Sequence, residues 1–360
     1  MAEIVLGIGT SHTPLLSLPP ELWERYASFD LTSPELVFPP EGQVLSYEEA
    51  VAGHVANEIR EKPRDLDVFR RQYEACNRAL DVLAEALVGA EPDITIVISD
   101  DQDEWFYEGN MPALAVYWGA SVPLIPRRSP AGSRFPELAE AISRGYGESN
   151  LDVPVPSSFG RFLIEQLIER DFDVAQMTYV DALYGGEVTR RYPGRDGETQ
   201  IVRKTPERPQ GLPHGFAFVV KRLFDERPRP LLPVIQNTCY PPNAVTPSRC
   251  FQLGRAIHAA VAGWHQDVRV AIVASGGLSH FVVDEELDRT LLGALGRKDA
   301  ETLRALPRHR LYSGSSESLN WVTAAGVLHD TRLEMELVDY VPVYRTEAGT
   351  GGGWAFARWH

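Results

Sequence analysis

The sequence predicts an α/β fold, a single domain whose central mixed or mostly parallel sheet is flanked by helices. Short apolar segments rich in β-branched residues alternate with longer segments whose apolar residues recur at helical spacing. This alternation is typical of sheets that carry helices on both faces. The length of 360 residues is sufficient for one large domain, so we expect a single domain over residues 1–360.

The same pattern predicts the main strands and helices. The predicted strands are Ile4–Ile8, Ile94–Ile98, Leu114–Tyr117, Val174–Val180, Leu232–Ile235 and Val268–Val273. The predicted helices are Val68–Leu87, Gly160–Ile168, Pro247–Trp264 and Leu287–Leu295.

Two segments interrupt the alternation of strands and helices. Residues 17–64 contain two Pro-Pro pairs and then a helical pattern near Tyr47–Glu61, and we interpret them as an inserted lid-like segment. The segment Leu183–Leu212 is rich in Gly, Pro and Arg and is locally basic within an acidic chain. A connection of this length is either functional or disordered.

The composition limits the possible partners and the cellular location. A net charge of −15 argues against nucleic acid or an anionic membrane as a partner. The three cysteines lie far apart and form neither a disulfide framework nor a metal-binding pair. No apolar run is long enough to span a bilayer, and the first residues lack the pattern of a signal peptide. We therefore expect a cytoplasmic protein.

Polar residues follow the predicted strands where each strand ends. They include His12, Gln102, Asn237 and His280, while His214 opens a helical segment. Ligands of α/β sheets gather at such strand ends. Because the GxSxG, GxGxxG, P-loop and HExxH motifs are all missing, histidines and carboxylates are the chemistry that remains. Two imidazoles and one carboxylate with open coordination positions form the site in which non-haem Fe(II) activates oxygen.

Six segments in order carry a resemblance to a known family. They are "GIGTSHTP", "PDITIVISDDQDEWF", "LPHGF", "NTCYPP", "ASGGLSHF" and "SGSSESLNWVTAAGVL". With them the chain resembles the class III extradiol ring-cleaving dioxygenases of the protocatechuate 4,5-dioxygenase β-subunit type, including gallate and 3-O-methylgallate dioxygenases. The resemblance implies an Fe(II) cofactor, dioxygen and a small catecholic substrate, carboxylated and lignin-derived, whose ring is opened in aromatic catabolism. It also implies a homodimer.

The resemblance further implies roles for individual residues. It makes His12, Gln102 and Glu317 the positions of the metal ligands, His280 and His214 catalytic histidines, and Asn237 and Tyr240 substrate-binding residues. His280 would take the proton of a substrate hydroxyl, a role that suits an imidazole because its pKa lies near neutrality. His214 would form a hydrogen bond with the substrate or with its oxygenated intermediate.

The sequence departs from the family pattern at one metal ligand. Where the family has an Asp-His pair after its second strand, this chain has Asp101-Gln102. An amide oxygen is a weaker ligand for Fe(II) than an imidazole. Three alternatives remain: Gln102 ligates alone or with Asp101, His54 of the inserted segment replaces the imidazole, or the site holds metal weakly or not at all.

The departure at Gln102 also leaves the function open to other readings. The same fold with Zn(II) or Mn(II) would act as a hydrolase or lyase. A chain that has lost a ligand would serve as a non-catalytic binding scaffold, although a scaffold needs none of the retained histidines. For the dioxygenase, the arginines of Leu183–Leu212, with Arg127 and Arg128, are candidates to bind the substrate carboxylate, although we expect most of them to be solvated surface residues and the sequence does not identify which one binds. We expect the segment 17–64 to cover the pocket.

Overall fold

The computed structural model describes residues 1–33, 36–127, 135–180, 186–191, 199–204 and 211–360. The described strands are β1 (Glu3–Thr10), β2 (Val37–Phe38), β3 (Gln43–Val44), β4 (Ile94–Asp100), β5 (Leu114–Tyr117), β6 (Ser121–Leu124), β7 (Leu151–Pro154), β8 (Ala175–Met177), β9 (Gly186–Arg191), β10 (Thr199–Lys204), β11 (Leu231–Gln236), β12 (Arg269–Ser275), β13 (His280–Val282), β14 (Met335–Tyr344) and β15 (Thr350–Trp359). The described α-helices are α1 (Trp23–Tyr26), α2 (Tyr47–Glu49), α3 (Asn57–Arg60), α4 (Leu66–Ala90), α5 (Pro136–Ser143), α6 (Ser157–Ile168), α7 (His214–Arg222), α8 (Pro247–Gly263), α9 (Glu285–Gly296), α10 (Ala300–Arg304) and α11 (Ser318–Leu328).

A nine-stranded sheet forms the centre of the protein. Its strand order is β13-β15-β1-β12-β4-β11-β5-β8, and β14 pairs with the free side of β15. The four central strands β1, β12, β4 and β11 are parallel to one another. Strand β5 is antiparallel to β11 and parallel to β8, whereas β15 is antiparallel to β1, β13 and β14. The parallel strands are almost wholly buried, as their continuous runs of Ile and Val require. The predicted α/β fold class is confirmed.

The predicted elements are present with small shifts at their ends, except that only Ala175–Met177 of Val174–Val180 is a strand. The prediction of one continuous helix near Tyr47–Glu61 was wrong. A π-helical turn at Ala50–His54 continues α2, and the extended residues Val55 and Ala56 then separate it from α3. The hairpin of β14 and β15 was missed, since Pro342 and a run of three glycines disguise its strand pattern. Arg128 and much of the basic segment Leu183–Leu212 lie outside the described residues.

The parallel pairing brings the polar strand ends to one edge of the sheet. Thr10 of β1 lies beside Ser275 of β12, and Asp100 of β4 lies beside Gln236 of β11. The residues that follow these four strands therefore emerge side by side. The sheet thus assembles, at a single edge, groups that are far apart along the chain.

Two packed helices support this edge from one face of the sheet. Helix α11 packs on β1, β4 and β12, and α8 packs against α11. The two helices cross closely at Gly254, where a Cβ atom would lie 2.0 Å from the carbonyl oxygen of Thr323. The crossing therefore fixes α11, whose first residue directly follows Glu317. No helix in the described part of the chain is both long and apolar enough to cross a membrane.

The close helix crossing generates a stability prediction. We expect Gly254→Ala to push α8 away from α11 and to lower the free energy of unfolding by roughly 1–3 kcal/mol, the usual cost of overpacking. Urea denaturation measures this loss. The matched control is Gly89→Ala in α4, where a Cβ atom would meet nothing within 4 Å. Because alanine is the better helix former, we expect Gly89→Ala to keep or raise stability. Equal losses in both variants would contradict the prediction.

Candidate metal centre and active site

A cavity of about 1190 Å³ opens at the carboxyl edge of the central sheet. It is large enough for a small aromatic molecule. Its described lining includes the polar residues His12, Gln102, Glu104, Arg127, His214, His280, Glu317 and Arg345 and the aromatic residues Tyr26, Tyr107, Tyr146, Phe281 and Trp354.

His12, two residues after the end of β1, is buried and lines this cavity. The Ser275 hydroxyl donates to the carbonyl oxygen of Gly215 (2.7 Å), so its oxygen accepts the Nδ1 proton of His12 (2.9 Å). The other ring nitrogen, Nε2, is buried and has no hydrogen-bond partner among the described residues. Burial, followed by the nearby charges of His214 and His280, lowers the pKa of His12 well below 6.5, so the imidazole is neutral.

His214 opens helix α7 and is held by the buried carboxylate of Glu104. That carboxylate accepts the Nδ1 proton of His214 (2.6 Å) and also its backbone N–H (3.0 Å). Burial opposes protonation of His214, but the charge of Glu104 and its hydrogen bond raise the pKa of His214 to about 9. Burial likewise opposes ionisation of Glu104, but His214 and Arg127 lower its pKa to about 2. The ring of His214 stands edge-on to that of His12, with centroids 4.6 Å apart.

His280, at the start of β13, is the third histidine of the cavity. Its Nδ1 donates to the carbonyl oxygen of Leu278 (2.9 Å), which leaves Nε2 as the free lone pair. Burial lowers the pKa of this imidazole. Gly277 makes room for the ring, because a Cβ atom at that position would lie 2.0 Å from Cε1 of His280.

The Glu317 carboxylate lies between the histidines. Its Oε2 accepts the backbone N–H of Gly277 (2.8 Å) and is 3.5 Å from Nε2 of His12 and 3.7 Å from Nε2 of His280. Its Oε1 accepts the side-chain amide of Gln102 (2.7 Å). Burial raises the pKa of Glu317 to about 7, against the opposing influence of His214 and these hydrogen bonds.

These groups have the composition of a metal site. Ligand atoms of His12, His214 and Glu317 all lie within 4.8 Å of one another. The unpartnered Nε2 of His12 is a buried lone pair that a cation would satisfy. Two imidazoles and one carboxylate are a donor set suited to a divalent transition metal. The described residues therefore fit a metal ion.

The alternatives for the missing imidazole are placed differently. The Gln102 amide nitrogen donates to Glu317 and to Oδ2 of Asp100 (3.1 Å). The Asp101 carboxylate accepts the backbone N–H groups of Trp105, Phe106 and Glu104 at 2.8–3.3 Å, so it stabilises its own turn. His54 is exposed and contacts the carbonyl oxygen of Glu49, outside the described cavity lining.

Asn237 and Tyr240 stabilise the turn after β11. The Asn237 side chain accepts the backbone N–H of Tyr240 (2.8 Å) and donates to the carbonyl oxygen of Tyr240 (2.7 Å) and to Asn243 (2.8 Å). Neither Asn237 nor Tyr240 belongs to the described lining of the cavity. The geometry thus gives them a role in the turn, and their predicted contact with substrate rests on the resemblance alone.

The sequence did not predict a role for several buried polar groups of the site. Glu104, Asp100 and Ser275 contact the cavity histidines or their neighbours, and Asp288 supports the turn before His280. The available signal was the acidic run from Asp100 to Glu104 directly after a buried strand. Four carboxylates in five residues are unusual where burial is expected.

Asp288 holds the turn that positions His280. Its carboxylate accepts the backbone N–H (2.8 Å) and hydroxyl (2.7 Å) of Ser279 and the hydroxyl of Tyr340 (2.7 Å). Burial outweighs these hydrogen bonds and raises the pKa of Asp288 from 3.8 to about 7. The folded protein therefore binds a proton here at pH values at which the unfolded chain has lost it.

This proton generates a pH prediction. Between pH 4 and 7 the folded state binds more protons at Asp288 than the unfolded state, so stability falls as pH rises through this range. At about 1.4 kcal/mol per pKa unit, the fall is roughly 4 kcal/mol at most. Asp288→Asn removes the titrating group. We expect the stability of the wild type relative to this variant, measured by urea denaturation of the metal-free proteins, to decline from pH 5 to pH 8. A difference independent of pH would contradict the prediction.

A comparison with protein families agrees with this geometry. The family model for the catalytic LigB subunit of aromatic ring-opening dioxygenase matches residues 76–351. The match includes Gln102, Glu104, His214, His280 and Glu317, and confirms the resemblance to the class III extradiol enzymes; His12 lies before it. Enzymes of this family bind a catalytic metal and open an aromatic ring with dioxygen, and the polar cavity contains residues that fit such a metal. The chain therefore belongs to the family of the catalytic LigB subunit of aromatic ring-opening dioxygenases.

Proposed function

We propose that the protein is a non-haem Fe(II)-dependent extradiol dioxygenase that cleaves a carboxylated, lignin-derived catechol. The observation that supports this proposal best is the group of three imidazoles around the buried Glu317 carboxylate. Fe(II) bound there would supply the redox chemistry that lets an aromatic ring react with dioxygen. The residues of the chain bind, orient and deprotonate the substrate.

His12, His214 and Glu317 would hold the metal. Their ligand atoms are mutually close, and each imidazole has its Nδ1 proton bound by another group. Such hydrogen bonds orient metal-binding histidines and raise their basicity. The metal ion would replace the proton that His214 carries in the metal-free protein. His214 would thus supply the second imidazole ligand, which the family pattern has at the position of Gln102.

His280 would act as the general base. His280 lines the cavity, its Nε2 keeps a lone pair because Nδ1 carries the proton, and its lowered pKa keeps the ring neutral near pH 7. A neutral imidazole can accept the proton of a catechol hydroxyl and later return it. The hydrogen bond to the carbonyl oxygen of Leu278 would keep the other ring proton on Nδ1 during this exchange.

The inserted segment 17–64 would cover the substrate. Its Asp30 forms a buried two-point ion pair with Arg345 (both contacts 2.9 Å), and Tyr26 lines the cavity. Leu36 and Phe38 pack with Val282 of β13, close to His280. Arg127 and Arg345 also line the cavity, but each is paired with a carboxylate, that of Glu104 and that of Asp30, so the carboxylate of the proposed substrate rests on the family resemblance. The homodimer and the cytoplasmic location remain predictions.

Oxygen uptake tests the proposed function. The protein is loaded with Fe(II) under anaerobic conditions and then given air and a panel of catecholic acids. We expect oxygen consumption with a yellow ring-opened product. Zn(II)-loaded protein and substrates with both hydroxyls methylated are the controls, because neither combination supports the chemistry. Iron-loaded protein that consumes no oxygen with any catechol would contradict the proposal.

A single substitution tests the metal site. We expect Glu317→Ala to weaken Fe(II) binding by about 100-fold or more, because a direct ligand contributes more than a residue that merely orients one. Iron content after gel filtration and a competition with a chelator measure the loss. Glu286→Ala is the control, since Glu286 is an exposed residue of the first turn of α9. Full iron occupancy in folded Glu317→Ala would exclude Glu317 as a ligand.

A further inference from the structure

We infer that Glu104 is a positioning residue that makes His214 a metal ligand and so compensates for the glutamine at position 102. The inference rests on the proposed metal site. The sequence predicted no role for Glu104. Its contact with His214 explains how the site keeps two imidazole ligands although residue 102 is a glutamine.

The first observation is the number of groups that Glu104 binds. Its side chain is 7% exposed and accepts hydrogen bonds from four different donor groups. These are the ring nitrogen and the backbone N–H of His214, the hydroxyl of Tyr146 (3.1 Å) and the guanidinium of Arg127. A buried carboxylate with such partners remains ionised and fixed in position. It therefore determines the direction of the His214 ring.

The second observation is the orientation that results for His214. Because a carboxylate only accepts, the hydrogen bond to Glu104 requires a proton on Nδ1 and leaves Nε2 to face away. A ring nitrogen of His214 lies within 4.8 Å of the ligand atoms of His12 and Glu317, and with Nδ1 bound to Glu104 we infer that Nε2 is the nitrogen available to a metal. Without the carboxylate, the ring would be free to rotate or to place its proton on Nε2. Glu104 thus selects the tautomer that a metal requires.

The third observation is the rigidity of the turn that carries Glu104. Asp101 accepts three successive backbone N–H groups of this turn, and Asp103 has a left-handed backbone conformation with φ of 56°. The indole nitrogen of Trp105 donates to the carbonyl oxygen of Gly211 (2.9 Å), three residues before His214. The turn is therefore attached to the segment that contains the histidine it orients.

Gln102 has a complementary place in the same turn. Its amide nitrogen donates to Oε1 of Glu317, which leaves Oε2 facing the histidines. One short turn thus orients two ligands: Gln102 contacts the carboxylate, and Glu104 contacts the imidazole. In this arrangement the site keeps a second histidine ligand, His214, although residue 102 is a glutamine.

The test begins with Glu104→Gln, which keeps the size of the side chain but removes its charge. We expect the affinity for Fe(II), and for Co(II) as a spectroscopic probe, to fall on the order of 10- to 100-fold, the usual effect of losing a carboxylate behind a histidine ligand. Anaerobic competition with a chelator measures the affinity. The Co(II) absorption bands, which depend on the number of nitrogen ligands, should shift as they do in His214→Ala.

A double-mutant cycle separates positioning from general structural damage. If Glu104 acts through His214, Glu104→Gln should change metal affinity little in the His214→Ala background. Equal losses in both backgrounds would overturn the inference. Glu104→Asp serves as the second variant should Glu104→Gln not fold, because it keeps the charge but withdraws the carboxylate from His214; unchanged affinity in this variant would equally overturn it.

Glu285→Gln is the matched control. Glu285 also accepts from a tyrosine hydroxyl and from cationic side chains, those of Tyr344, Lys62 and Arg289, but it lies outside the described cavity lining. We expect its metal affinity to equal that of the wild type. A wild-type protein that binds no divalent metal would contradict the proposed function itself. A wild type and a Glu104→Gln variant of equal affinity would contradict only the role of Glu104.

Discussion

The buried carboxylate of Glu317 is the constraint on which the rest of the site depends. An ionised carboxylate inside a protein costs several kcal/mol unless an opposite charge and hydrogen bonds compensate it. Here the hydrogen bonds come from Gly277 and Gln102, and three imidazoles surround the group, yet burial still raises its pKa to about 7. A divalent cation would supply the missing positive charge and keep Glu317 ionised. The metal would thus stabilise the fold as well as the chemistry.

The sheet delivers the groups that meet at this carboxylate. His12 follows β1, Ser275 ends β12, and Gln102 follows β4. These three groups lie close together because the strands are parallel neighbours whose carboxyl ends share an edge of the sheet. The crossing of α8 and α11 holds Glu317 opposite them. The edge of the sheet and the start of one helix therefore define the site, and small shifts of either element would separate the candidate ligands.

The turn from Asp100 to Glu104 shows how closely spaced acidic residues take different roles. Asp101 binds backbone N–H groups and shapes the turn, while Glu104 leaves the turn and binds His214. Their pKa values shift in opposite directions: burial and the charge of Glu104 raise that of Asp101, whereas His214 and Arg127 outweigh burial and lower that of Glu104. Environment, not residue type, decides which carboxylate remains charged.

The sequence by itself determined the α/β fold and the positions of His12 and His280 beside strand ends, because hydrophobic periodicity and turn residues are local properties. Glu317 was identified only through the resemblance to the family. It did not reveal the pairing of Glu104 with His214, which lie 110 residues apart. No local feature distinguishes Glu104 from the acidic residues beside it. Glu104 reaches His214 only because β4 and α7 pack against each other in the folded protein. Tertiary structure therefore decided which histidines lie close enough to Glu317 to be candidate metal ligands, since ligation depends on distances between segments that the chain order does not specify.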